Sequence, residues 1–301
     1  VIGQTAGRAP DDYDAIIVGA GPAGLTAATY LARFRRRVLV LNHGPSRASW
    51  IPESHNTPGF SRGVGGPELL RRLTEQATQF GAEVRGAEVT SLTRQGERFG
   101  VSTAQGRLEA PHVVLATGVR DRLPALPGLE DAIRRSVVRM CPICDAYEAI
   151  DRRIAVLGDG ELGAREAAFL RSYSEDVTLL RFPDGEAMAA NPPPGEVIDV
   201  ALADLSFTDK GVRVAKADEP AHTFDHLYLA LGCVPQNSLA IDCGATHDDD
   251  GNLVVDAHQQ TSVSGLYAAG DVVRGLNQIA VAAGEAAIAA TAIHNRLRGV
   301  G

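Results

Sequence analysis

Apolar positions along the chain keep two rhythms. After Asp14, Ala-Ile-Ile-Val18 is apolar at successive positions, as are Val38-Leu-Val-Leu41 and Val113-Val-Leu-Ala116, the pattern of parallel strands buried on both faces. Leu25 to Phe34 and Pro67 to Phe80 read as helices, the second with Leu69, Leu70, Leu73 and Ala77 on one face. From Glu83 to Leu108 the alternation predicts short antiparallel strands turning at Gln95-Gly96 and Gln105-Gly106. A second series begins at Ile154-Ala-Val-Leu157, runs through a helix to Leu170, and continues in Val177-Thr-Leu-Leu180. Phe224 to Gly232 is another strand, and residues 279–297 form an alanine-rich helix. Residues 1–12 lack an apolar period and read as a frayed tail, while 42–66 and 183–197 read as long loops. Strands alternating with helices predict an α/β protein.

Both series carry a glycine turn between first strand and first helix. Gly19-Ala20-Gly21-Pro22-Ala23-Gly24 fits G-x-G-x-x-G in the context that gives the motif meaning. Gly19 permits the tight turn, Gly21 the approach of a pyrophosphate, and Gly24 close packing of helix on strand. Gly158-Asp159-Gly160-Glu161-Leu162-Gly163 repeats it, and Gly21 to Asn42 and Gly160 to Arg181 are both 21 positions apart. The chain therefore reads as two Rossmann-like dinucleotide-binding domains. At the end of the second strand, where a ribose-binding acid is expected, stands Asn42, whose carboxamide can still bond a hydroxyl.

Composition narrows the partners. A formal charge of −8 over 301 residues argues against nucleic acid or an anionic membrane. No apolar run reaches the length of a membrane span, and residues 1–13 hold no signal-peptide core. Four cysteines, of which only Cys141 and Cys144 are close neighbours, suit a reducing compartment with one functional disulfide, hence the cytoplasm. Cys233 and Cys243 read as buried or idle, and Asp248-Asp249-Asp250-Gly251 as an acidic turn rather than a cation loop.

Near the midpoint, Cys141-Pro142-Ile143-Cys144-Asp145 sets two thiols on a helical first turn, where a small disulfide ring can close. A helix N-terminus there lowers the thiolate pKa of the first cysteine. The competing reading is half a zinc site, but no second Cys-x-x-Cys or His-x-x-His follows at usable spacing, so no metal is expected.

Taken together, these motifs resemble the low-molecular-weight thioredoxin reductase family over Asp14 to Leu297. Cys141-Pro-Ile-Cys144-Asp145 resembles its active-site motif. His55-Asn56-Thr57-Pro58-Gly59 resembles the loop that presents an Asn to the flavin. Gly270-Asp271 resembles its second FAD motif, and Asn277-Gln278-Ile279-Ala280 the segment on the isoalloxazine ring. The resemblance implies two three-layer ββα domains, the second inserted in the first: an FAD domain of residues 1–118 and 244–301, and an NAD(P)H-type domain of 119–243 carrying the Cys pair. It extends the FAD site to Asn42, His43, Gly44, Val89, Ala116, Thr117 and Gly118. It implies that Cys144 faces the flavin, Cys141 exchanges with a partner disulfide, and Asp145 moves the proton; the alternative for Asp145 is a charge favouring the helix dipole. It further implies a homodimer whose partner is a thioredoxin-like protein or a small dithiol or disulfide.

The second turn departs from that family. Its His-Arg-Arg run for the NADPH 2′-phosphate is replaced by Arg181-Phe182-Pro183-Asp184, and Asp159 and Glu161 stand where a pyrophosphate would lie. NADPH is therefore expected to be a poor reductant. Arg181 reads as a lone phosphate ligand or an ordinary solvated side chain. At this level three functions stay open: a disulfide reductase, a dithiol oxidase passing electrons to oxygen, and a flavin redox sensor without turnover. His43, His55 and His294 read either as flavin neighbours or as surface and capping residues.

Overall fold

The computed structural model describes residues 11–182, 195–217 and 219–300. Its contacts divide the chain into two units, residues 1–49, 67–120 and 235–301 in one and 50–66 with 121–234 in the other. The sequence reading placed 50–66 with the first domain, whereas the structure groups that segment with the Cys pair.

In the first unit β1 (Ala15–Val18) leads into α1 (Pro22–Arg33) and β2 (Val38–Asn42), and α2 (Gly66–Gln79) into β3 (Glu83–Gly86). An antiparallel meander follows, β4 (Val89–Gln95), β5 (Arg98–Thr103) and β6 (Gly106–Ala110), and then β7 (His112–Leu115). β3 is not part of that meander, as the alternation from Glu83 suggested. It pairs parallel with β2, in register from Leu39↔Glu83 to Asn42↔Gly86. Strand period alone cannot tell which neighbour a strand will find.

The second unit repeats the plan. β8 (Val119–Asp121), α3 (Leu129–Arg134) and β9 (Val138–Arg139) precede α4 (Pro142–Asp145), β10 (Ile154–Gly158), α5 (Gly160–Leu170) and β11 (Val177–Arg181). Then come β12 (Glu196–Asp199) and the meander β13 (Leu205–Thr208), β14 (Gly211–Val214) and β15 (His222–Phe224). β16 (His226–Ala230) and β17 (Cys233–Pro235) close the unit, β17 pairing with β8 where the chain passes between units. The parallel order is β12-β11-β10-β16-β9. The loop predicted over 183–197 falls on undescribed residues up to 194, but Glu196 and Val197 belong to β12, which pairs with β11.

The chain returns through α6 (Ser238–Asp242), β18 (Leu266–Ala268) and α7 (Ile279–Leu297), completing the first parallel sheet in the order β18-β7-β1-β2-β3. Ala15, Ile17, Val38, Val40 and Val114 face α1 and α7 on one side of this sheet, and Ile16, Leu39, Leu41, Val113 and Leu115 face the meander's Leu92, Phe99 and Val101 on the other. On α7, Ala282, Ala286, Ala289, Ala290 and Ile293 repeat at helical spacing, and the small side chains let it pack against α1. The second unit is layered likewise, with Leu157, Leu180 and Leu227 against Leu205, Val212 and Phe224, and Val156, Leu179 and Tyr228 against Ala167 and Leu170 of α5. Each fully buried Leu, Ile or Val removes enough apolar surface from water to stabilise the fold by about 1.5–3 kcal/mol. These are the three ββα layers expected from the sequence. Among the described residues, no helix is long and apolar enough to cross a membrane.

Candidate functional site

The first glycine turn sits where the strand order of its sheet reverses. β2 lies on one side of β1 and β7 on the other, which opens a crevice beyond the strand ends. The loops after β1 and β7 meet there closely. A Cβ on Gly19, whose φ is +109°, would stand 2.3 Å from the Ala116 carbonyl oxygen, and one on Gly24 would stand 1.9 Å from that of Gly19. No side-chain larger than hydrogen fits either place. α1 starts with Gly21 as its N-cap and Pro22 in its first turn, with no side-chain cap and no acid in that turn. Its first amides are left facing the crevice.

Several expected residues gather around this turn. Ala20 N donates to Asn42 Oδ1 at 3.2 Å, and Asn42 Nδ2 donates to the Gly44 carbonyl at 3.1 Å. Asn42 thus holds the turn itself, which sequence reasoning had aimed at a ribose. Thr117 donates its hydroxyl proton to the Gln236 carbonyl at 2.6 Å, fixing the loop after β7. His43 is exposed, 3.8 Å from Glu88, and Val89 opens β4 beyond the end of β2. Gln278 caps α7, of which Ile279 is the first residue. His294 lies elsewhere in the unit, stacked on Phe34 at 4.4 Å with Arg36 donating to its Nδ1 at 3.1 Å.

Three residues missed by sequence reasoning complete this region. Glu285 on α7 is buried, and its carboxylate accepts from Gly270 N at 2.9 Å and from Arg274 Nε, which anchors the Gly270-Asp271 turn. Arg47 pairs with Asp271 at 3.3 Å. Ser46 Oγ lies 3.2 Å from where a Cβ on Gly21 would be. Glu285 did leave a signal, since it is a lone acid among the apolar positions of an alanine-rich helix.

The second unit holds the thiols. Cys141 and Cys144 form a disulfide with Cα atoms 5.3 Å apart. Cys141 is the N-cap of α4 and accepts from Cys144 N at 2.9 Å, the helical first turn expected from the spacing. His55 and Asn56 belong to this unit. Asn56 Nδ2 donates to the Ile143 carbonyl at 3.4 Å, inside the Cys ring, and His55 Nε2 lies 3.1 Å from Glu53. Asp145 is paired with Arg139 at 3.0 Å and accepts from the Tyr228 hydroxyl at 2.9 Å. Burial pushes its carboxyl above the usual range, while Arg139 and Tyr228 pull the other way. Asp145 is thus a carboxylic acid with a raised pKa that follows the disulfide directly in the chain.

The second glycine turn is closed by its own chain. Phe182 N donates to Asp159 Oδ1 at 3.0 Å, and Arg181 is paired with Asp199 at 2.7 Å. Arg181 is thus a partly exposed side chain in an ion pair, closer to the solvated reading than to a lone phosphate ligand. Cys233 and Cys243 are half-buried rather than buried; Cys243 donates its thiol to the Leu92 carbonyl at 2.9 Å and burial raises its pKa. Asp248 accepts from Asn252 N at 2.8 Å, closing the acidic turn.

Comparison with known proteins agrees with this geometry. The pyridine nucleotide-disulphide oxidoreductase family model matches residues 13–286. A thioredoxin reductase from Treponema pallidum (strain Nichols) is 32% identical over 300 residues, covering 93% of this chain and 96% of that protein. One from Listeria monocytogenes serovar 1/2a is 30% identical over 295 residues, covering 92% and 91%. The crystal structure of thioredoxin reductase from Streptococcus pyogenes MGAS5005 superposes with a TM-score of 0.86 at 27% identity, covering 97% of this chain and all of the other. An enzyme with two ββα units, a glycine turn at the sheet's switch point and a Cys-x-x-Cys disulfide, this chain belongs to the low-molecular-weight thioredoxin reductase family of flavin-dependent disulfide oxidoreductases.

Proposed function

We propose that the chain binds FAD in its first unit and passes electron pairs between that flavin, the Cys141–Cys144 disulfide and the disulfide of a thioredoxin-like protein or small molecule. The observation that carries this reading is the closed Cys141–Cys144 pair with the paired carboxylate of Asp145 next in the chain. FAD, when bound, supplies the two-electron chemistry that the side chains lack.

The first unit fits FAD. Its glycine cradle would be filled by any Cβ, and its α1 amides have neither a cap nor an acid to compete with a pyrophosphate. In this reading Gly19, Gly21, Pro22, Ala23 and Gly24 receive the pyrophosphate, and Asn42, His43, Gly44 and Val89 line the adenosine side. Ala116, Thr117, Gly118, Gly270, Asp271, Gln278 and Ile279 line the rest, and His55 and Asn56 are assigned to the same cofactor by their motif. Cys144 faces the flavin, Cys141 attacks the partner disulfide, and Asp145 carries the proton. A homodimer acting in the cytoplasm is part of the same reading, supported by the family and by two thiols kept outside the disulfide.

The second turn does not fit NADPH among the described residues. Asp159 and Asp199 occupy hydrogen-bond donors that a phosphate would need, the Phe182 amide and the Arg181 guanidinium. No step is assigned to NADPH.

Purified protein should be yellow, and an apoprotein that takes up no FAD on reconstitution would end the reading. Cys141→Ser should leave Cys144 able to perturb the flavin spectrum while turnover is lost. Cys144→Ser should let Cys141 be trapped as a mixed disulfide with substrate. The opposite pattern would exchange the two roles.

A further inference from the structure

Beneath the Cys pair the second unit builds a polar clamp. β9 and β16 run parallel, and Arg139 stands opposite Tyr228 in their register. Paired residues of neighbouring strands leave a sheet on the same face, and here both converge on Asp145. Arg139 Nη1 lies 3.0 Å from Oδ2 and 3.4 Å from the Asp145 carbonyl oxygen. The Tyr228 hydroxyl lies 2.9 Å from Oδ1 and 3.2 Å from the same carbonyl. Side chain and main chain of the residue that ends α4 are therefore gripped together.

The clamp is buried. Tyr228 is wholly inaccessible in a strand otherwise apolar around it, and the Arg139 side chain is only 9% exposed. Polar groups at such depth are tolerated when each meets a partner. The other charges near Asp145 do not replace these two. Glu148, one turn on, repels it. His226, two positions before Tyr228, has Nδ1 at 3.3 Å from Arg139 Nε and 3.0 Å from the Ser136 carbonyl. Burial and Arg139 lower its pKa to about 4, with Asp225 and Arg152 acting weakly in opposite directions, so it is neutral at pH 7. Burial beside Asp145 raises the pKa of Tyr228, which keeps its proton. Arg139 is left as the cation that answers Asp145.

We infer that Arg139 and Tyr228 are positioning residues that hold Asp145 ionised and aimed, so that it accepts the Cys144 proton during disulfide exchange. The inference rests on the role proposed above for Asp145. In that exchange the Cys141 thiolate attacks the substrate disulfide, forms a mixed disulfide and expels one substrate thiolate. Cys144 then yields its proton to the Asp145 carboxylate, and its sulfur attacks that of Cys141. The bond from Cys141 to substrate breaks and the second substrate thiolate leaves with the electron pair. The protein pair ends oxidised and the substrate disulfide reduced.

The test uses the full-length flavoprotein, reduced, freed of reductant and mixed without oxygen with dithiobis(nitrobenzoate). Release of the first coloured thiolate reports Cys141, and release of the second reports Cys144. In wild type the second phase should slow as pH falls and Asp145 gains a proton. Asp145→Asn should slow that phase and abolish its acid limb. Tyr228→Phe and Arg139→Met each remove a donor to the charged form, so the limb should move about one pH unit upward with the first phase unchanged. Arg139→Lys should restore part of the shift. A limb at the wild-type position in Tyr228→Phe, a change of one oxygen that keeps the packing, would overturn the inference. So would an Asp145→Asn limb like that of wild type, which would also remove the proton role proposed for Asp145 while leaving the electron path through the Cys pair standing. Failure of wild type to release a second thiolate would overturn both.

Discussion

The two units share one plan and use its glycine turn in opposite ways. In the first, a main-chain amide of the turn donates to the side chain at the end of the second strand, Ala20 N to Asn42 Oδ1. In the second, the turn supplies the acceptor, and Phe182 N at the end of the second strand donates to Asp159 Oδ1. The first arrangement leaves a helix start without an acid; the second puts Asp159 at the N-cap of α5 and Glu161 in its first turn. Acids there satisfy the helix dipole from within, which is worth a few tenths to about 1 kcal/mol and repels an incoming phosphate. One duplicated plan thus leaves the start of its helix without an acid in one unit and sets two acids there in the other.

Buried carboxylates repeat the contrast. Glu285 in the first unit is answered by Gly270 N and Arg274. In the second unit Glu166 Oε2 is buried with no hydrogen-bond partner among the described residues, and burial raises its pKa to about 7. The first carboxylate holds a loop in place, and the second opposes its own ionisation.

The sharpest way to break the comparison is through packing. Gly24→Ala sets a methyl 1.9 Å from a backbone oxygen, whereas Gly163→Ala meets its nearest backbone atom at 2.8 Å. Gly24→Ala should lose flavin and destabilise its unit by more than about 3 kcal/mol, and Gly163→Ala by clearly less, read by flavin content and chemical denaturation. Equal damage would mean that both turns have kept the same tight geometry for the same purpose.

Glu285→Ala should follow, with a loss of about 1–3 kcal/mol and weaker FAD retention, because it strands the buried Gly270 amide. Retention measured by ultrafiltration should fall even where the fold persists at low temperature. Wild-type retention would show that the Gly270-Asp271 turn holds itself.

NADPH should be a poor reductant. Two missing charge-assisted contacts to a 2′-phosphate, at about 1.5–3 kcal/mol each, imply roughly a 10²-fold or larger loss of affinity. Full flavin reduction by micromolar NADPH within the mixing time of a stopped-flow instrument would refute this. Asp199→Ala frees Arg181 and should improve the rate only a few-fold, since the pair it breaks is partly exposed.

The smallest effect concerns Glu166 and depends on pH. Its folded pKa of about 7 lies above the unfolded 4.5, so the folded state binds the extra proton between them. Stability from this group is complete below pH 4.5 and lost as pH rises through 7. Glu166→Gln should therefore add on the order of 2 kcal/mol at pH 8 and almost nothing at pH 4. A gain that is the same at both values would point to packing instead.

What the sequence determined by itself was local. Near-continuous apolar runs identified β1, β2, β7, β10 and β11, because strands buried on both faces need no polar alternation. The Cys141–Cys144 spacing gave the helical turn and its disulfide, since three residues of separation place two Sγ atoms within reach. Tertiary structure decided everything that joins distant segments. It paired β3 with β2 instead of the meander, made a strand of Glu196–Asp199, and grouped Asn56 with the Cys pair. It also set Arg139 and Tyr228, 89 positions apart, in one register pair over Asp145. A lone Arg or Tyr carries no periodic signal of its partner. Only the pairing of strands in space fixes which side chains share a face, and with it which charges must answer one another.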